Sequence, residues 1–197
     1  MPTDRLESGG WERTHESVDT VFRLPAMRVR GSTVKYEDER TRGALATATD
    51  ETLDESTRFV AGTRLTFEPP LPPGTTAVMV APTLKSEARR TFANRLRERG
   101  LVDVERDGSQ KLLVGNRRRA TVTKFTAVNP LDDWDRQLPL ACWVAVWTDT
   151  DYATVVTGGH PTVVLASHLG LDTTDETLRR SGESYREEFF TLLRGVE

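Results

Sequence analysis

The longest run of apolar positions lies at 138–161, LPLACWVAVWTDTDYATVVTGGHP. From Leu140 to Trp147 every residue is apolar or small. Thr148 to Asp151 breaks the run, and a second one, Tyr152 to Thr157, ends in Gly158-Gly159. Two β-rich segments across a short Asp/Thr turn predict an antiparallel hairpin. In its first strand Ala141, Trp143, Ala145 and Trp147 share one face, and Leu140, Cys142, Val144 and Val146 the other. Neither face is polar, so this strand belongs mid-sheet with something packed on both sides.

The rest of the pattern is read around that hairpin. Residues 1–16 are charged and read as a loosely ordered segment, with 17–197 forming a single domain. Val18 to Leu24 alternates partly. Met27 to Glu39 reads as two short strands about a Gly31-Ser32 turn, and the charged tail Glu37 to Arg40 suggests an exposed edge. Arg42 to Glu55 is weakly helical, and Arg58 to Glu68 returns to strand. The prolines from Pro69 to Pro73 make a rigid connector, and Thr75 to Ala81 alternates as another strand.

A helix over 84–99 is the clearest one. Thr83 is its N-cap, Leu84, Ala88, Phe92 and Leu96 form its apolar stripe, and Gly100 ends it. Leu101 to Arg106 and Lys111 to Val114 read as strands joined by an Asp107-Gly108 turn. After a Gly115-Asn116 turn, Arg117 to Val128 is a long strand, and 129–137 is a polar loop. Val163 to Leu169 suits either a helix or a strand. A second principal helix runs over 174–194, opened by a Thr173/Glu176 capping box and weakened by Gly182 in its middle. The pattern as a whole is α+β, a mainly antiparallel sheet packed against helices 84–99 and 174–194.

Charge narrows the function classes. The 197 residues carry 27 basic and 30 acidic side chains, a formal net charge of −3. That balance argues against nucleic acid as a partner, since phosphates must be neutralised many at a time. Only Lys35, Lys85, Lys111 and Lys124 are lysines, so the basic set is nearly all arginine. The charged N-terminus is no signal peptide and no run reaches the length of a membrane span, which predicts a cytoplasmic protein. A single cysteine, Cys142, excludes an internal disulfide and reads as a buried thiol.

Candidate chemistry is sparse. His15, His160 and His168 lack metal-site spacing, and the Asp132–Asp135 run lacks the glycine and closing glutamate of a calcium loop. No nucleophile elbow, phosphate loop or dinucleotide fingerprint occurs, so we assign no catalytic residue, metal or cofactor. The remaining lead is anionic. Arg117-Arg118-Arg119 opens a predicted strand, where Arg117 and Arg119 would share a face, and His160 follows two glycines where a loop could present it. Arginine forks suit phosphate or carboxylate. Arg117, Arg119 and His160 are therefore the candidate binding residues, for a small anion or an acidic protein segment.

The order of a strand, a proline turn, TTAVMVAPTLKSEARRTFANRLRERGLVDVER, LLVGNRRRATVTKFTA and CWVAVWTDTDYATVVTGGHP before an acidic terminal helix resembles a family of uncharacterised domains from halophilic archaea. It covers about Phe59 to Arg194. More remotely the layout is similar to the PsbP and Mog1 type of α/β/α sandwich, whose members mostly serve as binding or assembly factors. The resemblance implies a non-catalytic binding or assembly protein with an unknown protein partner. The alternative, from the arginines, is an enzyme or sensor that holds a small anionic ligand in an arginine-lined pocket.

Overall fold

A computed structural model describes residues 2–24, 27–72 and 74–196. Its centre is one seven-stranded antiparallel sheet. The strands are β1 (Trp11–Leu24), β2 (Met27–Asp38), β3 (Phe59–Glu68), β4 (Val102–Val114), β5 (Arg118–Leu131), β6 (Arg136–Thr148) and β7 (Ala153–Pro161). Their spatial order is β1-β2-β3-β7-β6-β5-β4, two meanders joined where β3 pairs with β7. The helices are α1 (Thr3–Ser8), α2 (Glu39–Ala48), α3 (Ala77–Glu98), α4 (Leu165–Leu169) and α5 (Gly182–Arg194). This is the α+β fold with packed helices that the sequence pattern predicts.

The β6–β7 hairpin is the structural centre. Cys142, Val144 and Val146 of β6 join Phe92 and Leu96 of α3 and Leu45 of α2 in one core. Ala141, Trp143, Ala145 and Trp147 join Leu6 of α1 and Phe189, Phe190 and Leu193 of α5 in another. Both faces of β6 are thus covered. Gly158 and Gly159 do not end β7; they lie within it, one toward each face. A Cβ on Gly159 would come within 2.5 Å of the Phe59 ring, and one on Gly158 would overlap Phe189. Two aromatic rings approach the strand closely because these residues have no side chain.

Elsewhere several expectations are corrected. The N-terminal segment expected to be loose forms α1 and the start of β1, with Leu6 and Trp11 buried. Two apolar anchors suffice to dock it. β2 runs unbroken through Gly31, where a Cβ would overlap Val21 and Thr63, so the glycine serves close packing and not a turn. β1 and β2 instead pair antiparallel up to Leu24 and Met27; Pro25 lies outside the described residues. Nor is Glu37–Arg40 an edge: Asp38 accepts the Thr41 N–H and caps α2, while β1 and β4 are the true edges, both rich in charge.

Thr75 to Ala81 is not a strand. Ala77 and Ala81 extend the stripe of Leu84, Ala88, Phe92 and Leu96 backwards at helical spacing, and α3 starts at Ala77 despite Pro82 inside it. Alternation of Val78 and Val80 with Ala77 and Met79 hid this, although Val78 and Met79 are exposed. Pro69 to Pro72 lie in the connection before α3, and Pro73 is outside the described residues. Asp107-Gly108 is a register shift within β4, not a hairpin turn, so both halves of β4 pair with β5. The expected polar loop at 129–137 is mostly the β5–β6 hairpin. The second principal helix starts at Gly182 and not at 174. Ser181 caps it by accepting the Ser184 N–H, whereas Thr173 bonds only the Asp175 N–H in the preceding turn. Among the described residues no helix is long and apolar enough to cross a membrane.

Candidate functional site

Seven strands span about 30 Å and one helix about 10 Å, so α3 leaves part of its face of the sheet open. It packs chiefly on β6. The β1–β3 side then forms the floor of a cleft of about 360 Å³ along the helix flank. A bulge in β1 between Arg13 and His15 makes this possible, because it turns Trp11 toward α5 but brings His15, Ser17 and Asp19 to the α3 face. The floor is Phe59, Thr63, Leu65 and Val155, and the wall is Ala88, Phe92 and Leu96. Within it the Thr33 and Thr63 hydroxyls bond each other at 2.9 Å.

The lip is charged, with Lys35, Arg95 and Arg99 set against Asp19, Glu98 and the adjoining Glu37. Lys35 pairs with Glu37, which also meets Arg99 at 3.7 Å. The Arg99 guanidinium lies over the Phe59 ring, 4.4 Å from its centre. The Arg95 side chain, one turn earlier, has no hydrogen-bond or ion-pair partner among the described residues. Asp19 and Glu98 are the lip's carboxylates. Such a cleft can hold an apolar body and orient a polar end.

On the α5 face a second, polar cleft of about 500 Å³ lies over a buried ion cluster. Arg58 is only 3% exposed. Its guanidinium is held between the rings of Trp11 and Tyr185, at 5.0 and 4.2 Å, and pairs with Asp38 and, at 3.0 Å, with Glu188. Glu188 also accepts from Arg180 at 2.7 Å and from the Trp11 indole N–H at 3.3 Å. Burial works to raise the Glu188 pKa, yet Arg58 and Arg180 outweigh it and hold the carboxyl below its usual range. Burial pushes the Tyr185 hydroxyl up.

The three residues chosen from sequence are not brought together. Arg117 ends a short 3₁₀ turn at φ +59° and precedes β5, so it shares no strand face with Arg119. Both are exposed. The middle arginine is the engaged one: Arg118 pairs with Asp149 and approaches Tyr152. The Thr150 backbone N–H, with the Tyr152 hydroxyl and Arg118, lowers the Asp149 pKa.

His160 stands in β7, 4% exposed, not in a presenting loop. Its register runs through Ala141 to Thr126, seven residues along β5 from Arg119, or about 23 Å at the rise of a strand. Its Nδ1–H donates to the Pro161 carbonyl at 2.9 Å, and its Nε2 accepts from the Trp143 indole at 3.2 Å. Burial lowers its pKa to about 4, the Pro161 bond opposes this, and Arg58 adds to it. The ring is a neutral core group. Cys142, with no exposure, has its thiol pushed up to about 12 by burial.

Sequence reasoning missed both clefts. Asp38, Arg58, Arg180 and Glu188 share no spacing that would mark them, and only Asp38-x-x-Thr41 carries a local signal, that of a helix cap. Among the described residues no three His, Cys, Asp or Glu side chains converge as a metal ion would require. No curated protein matches the chain. The whole of it, residues 1–197, matches the model of a domain of unknown function, DUF6517, and the chain belongs to that family.

Proposed function

We propose that the protein is a non-catalytic binding protein whose α3 cleft takes a small amphipathic molecule, its apolar body on Phe59, Leu65 and Phe92 and its anionic end at Arg95 and Arg99. The observation that carries this reading is the union of an apolar floor and an arginine lip in one cleft of about 360 Å³, a volume suited to a small ligand. The side chains within it also favour binding over catalysis. The Thr33 and Thr63 hydroxyls engage each other, and the His15 ring at the lip has no hydrogen-bond partner among the described residues, so among them no nucleophile is coupled to a base. Helices on both faces of one sheet support the likeness in layout to PsbP and Mog1 sandwiches, and with it a binding role.

Thermal melts with dodecanoate and with dodecanol test the reading. Dodecanoate should raise Tm saturably, Ala61→Trp should abolish the rise by filling the cleft, and Arg95→Ala should weaken it. Equal stabilisation by dodecanol would refute the anionic end. No response to either compound would refute the cleft as a binding site.

A further inference from the structure

The polar cleft on the α5 face has a floor and a mouth of different character. In the floor Arg58 and Arg180 are matched by Asp38 and Glu188, so their charges cancel. At the mouth stand Arg40, from the first turn of α2, and Arg179, from the turn before α5, with Glu176 as the only carboxylate among the lining residues there. Neither the Arg40 nor the Arg179 side chain has a hydrogen-bond or ion-pair partner among the described residues. The mouth therefore carries one unmatched positive charge.

Both mouth arginines are mounted on fixed backbone. The Arg40 N–H and the Glu39 N–H donate to the Gly10 carbonyl, and the Arg40 guanidinium lies so close over Gly10 that a Cβ there would stand 3.1 Å from Nε. The turn bearing Arg179 is pinned on both sides: the Tyr185 hydroxyl donates to the Thr177 carbonyl at 2.8 Å, and the Ala166 N–H to the Leu178 carbonyl at 2.9 Å. A third donor lines the same cleft. Arg58 Nε is buried and has no hydrogen-bond partner among the described residues, a state that a buried N–H rarely keeps without an acceptor.

The geometry points to an oxyanion site, in which Arg40 and Arg179 clamp the phosphoryl or carboxylate group of a small molecule at the mouth of the α5-face cleft. Two planar guanidiniums can each give a pair of parallel N–H donors to such a group. The paired carboxylates beneath are already neutralised, and Glu176 at the rim disfavours a bare, highly charged polyanion such as nucleic acid. This site has its own lining residues and lies on the opposite face of the sheet from the α3 cleft.

Isothermal titration with inorganic phosphate and with citrate, at pH 7 and matched ionic strength in sodium chloride, tests it. We expect saturable binding of at least one anion, weakened about ten-fold or more by Arg40→Ala with Arg179→Ala. Binding should be unchanged by Arg95→Ala, which belongs to the other cleft, and by Arg117→Ala with Arg119→Ala. A preference for phosphate names a phosphoryl ligand, and a preference for citrate a carboxylate; either supports the clamp. Since both mouth side chains are unpartnered, the double variant should melt as the parent does, so lost binding reads as a lost site. Absence of saturable binding by both anions, or binding that the double variant retains in full, would overturn the proposal.

Discussion

Lowering the pH should destabilise the protein first through His160. The folded ring is neutral because each nitrogen has one role: Nδ1–H donates to Pro161 and Nε2 accepts from Trp143. A second proton on Nε2 would face the indole N–H and cost the ring its acceptor. The folded pKa, about 4, lies below the usual 6.5, so in the acid range the unfolded chain binds a proton that the folded one refuses. The stabilisation is fully present above pH 6.5 and is lost as pH falls toward 4. Two and a half units at about 1.4 kcal/mol each come to about 3–4 kcal/mol, a large share of the stability of an ordinary domain. Glu188, also depressed, titrates below the ordinary carboxylate range and so acts at lower pH. Urea unfolding at half-unit steps from pH 8 to 4 measures the slope. His160→Gln keeps a donor and an acceptor but does not titrate, and should flatten the curve between pH 6.5 and 4.5 while lowering stability at pH 7. An unchanged slope in that variant, or a wild-type stability that rises as pH falls through 6, would refute the reasoning.

Trp143 stacks on Phe189 at 6.3 Å and meets Phe190 edge-on at 5.0 Å, so Trp143→Ala should cost about 3–5 kcal/mol by chemical denaturation. Cys142 beside it should resist a thiol reagent until the protein unfolds, and rapid native labelling would contradict its placement. Gly159→Ala should cost about 1–3 kcal/mol, since Phe59 must move to admit a methyl group; an unchanged melting temperature would argue against that packing. Arg58→Ala strips Asp38 of its ion-pair partner in a buried setting and should cost about 3–5 kcal/mol, read by the same unfolding assay.

The hairpin at 138–161 was legible because its two runs are apolar on both faces, and few architectures satisfy that. The stripe from Leu84 to Leu96 was legible for a similar reason, but Pro82 concealed that the helix began seven residues before Leu84, at Ala77. Glycines misled at two places. Gly31 and Gly158-Gly159 look like turn residues in sequence, yet their purpose is to let a neighbouring side chain lie on a strand, which depends on residues far away. Three adjacent arginines drew attention at 117–119, whereas the arginines that gather in a cleft are Arg40, Arg58, Arg179 and Arg180, carried there by three separate parts of the chain. The packing of a helix start, a strand entry and a turn against one another makes that site, and one-dimensional spacing holds no record of it.

The alternation of side chains along a strand has a consequence for how the two faces communicate. Glu37 joins Lys35 and Arg99 beside the α3 cleft, and the next residue, Asp38, pairs with Arg58 beneath the other. Arg58 in turn precedes Phe59, which lies under Arg99. Glu37 and Phe59 are register partners on β2 and β3, so the same few peptide units support both clefts. A ligand that shifted these units on one face would alter the template offered on the other. Thermodynamic reciprocity then requires that whatever factor the first applies to the affinity of the second is returned in full.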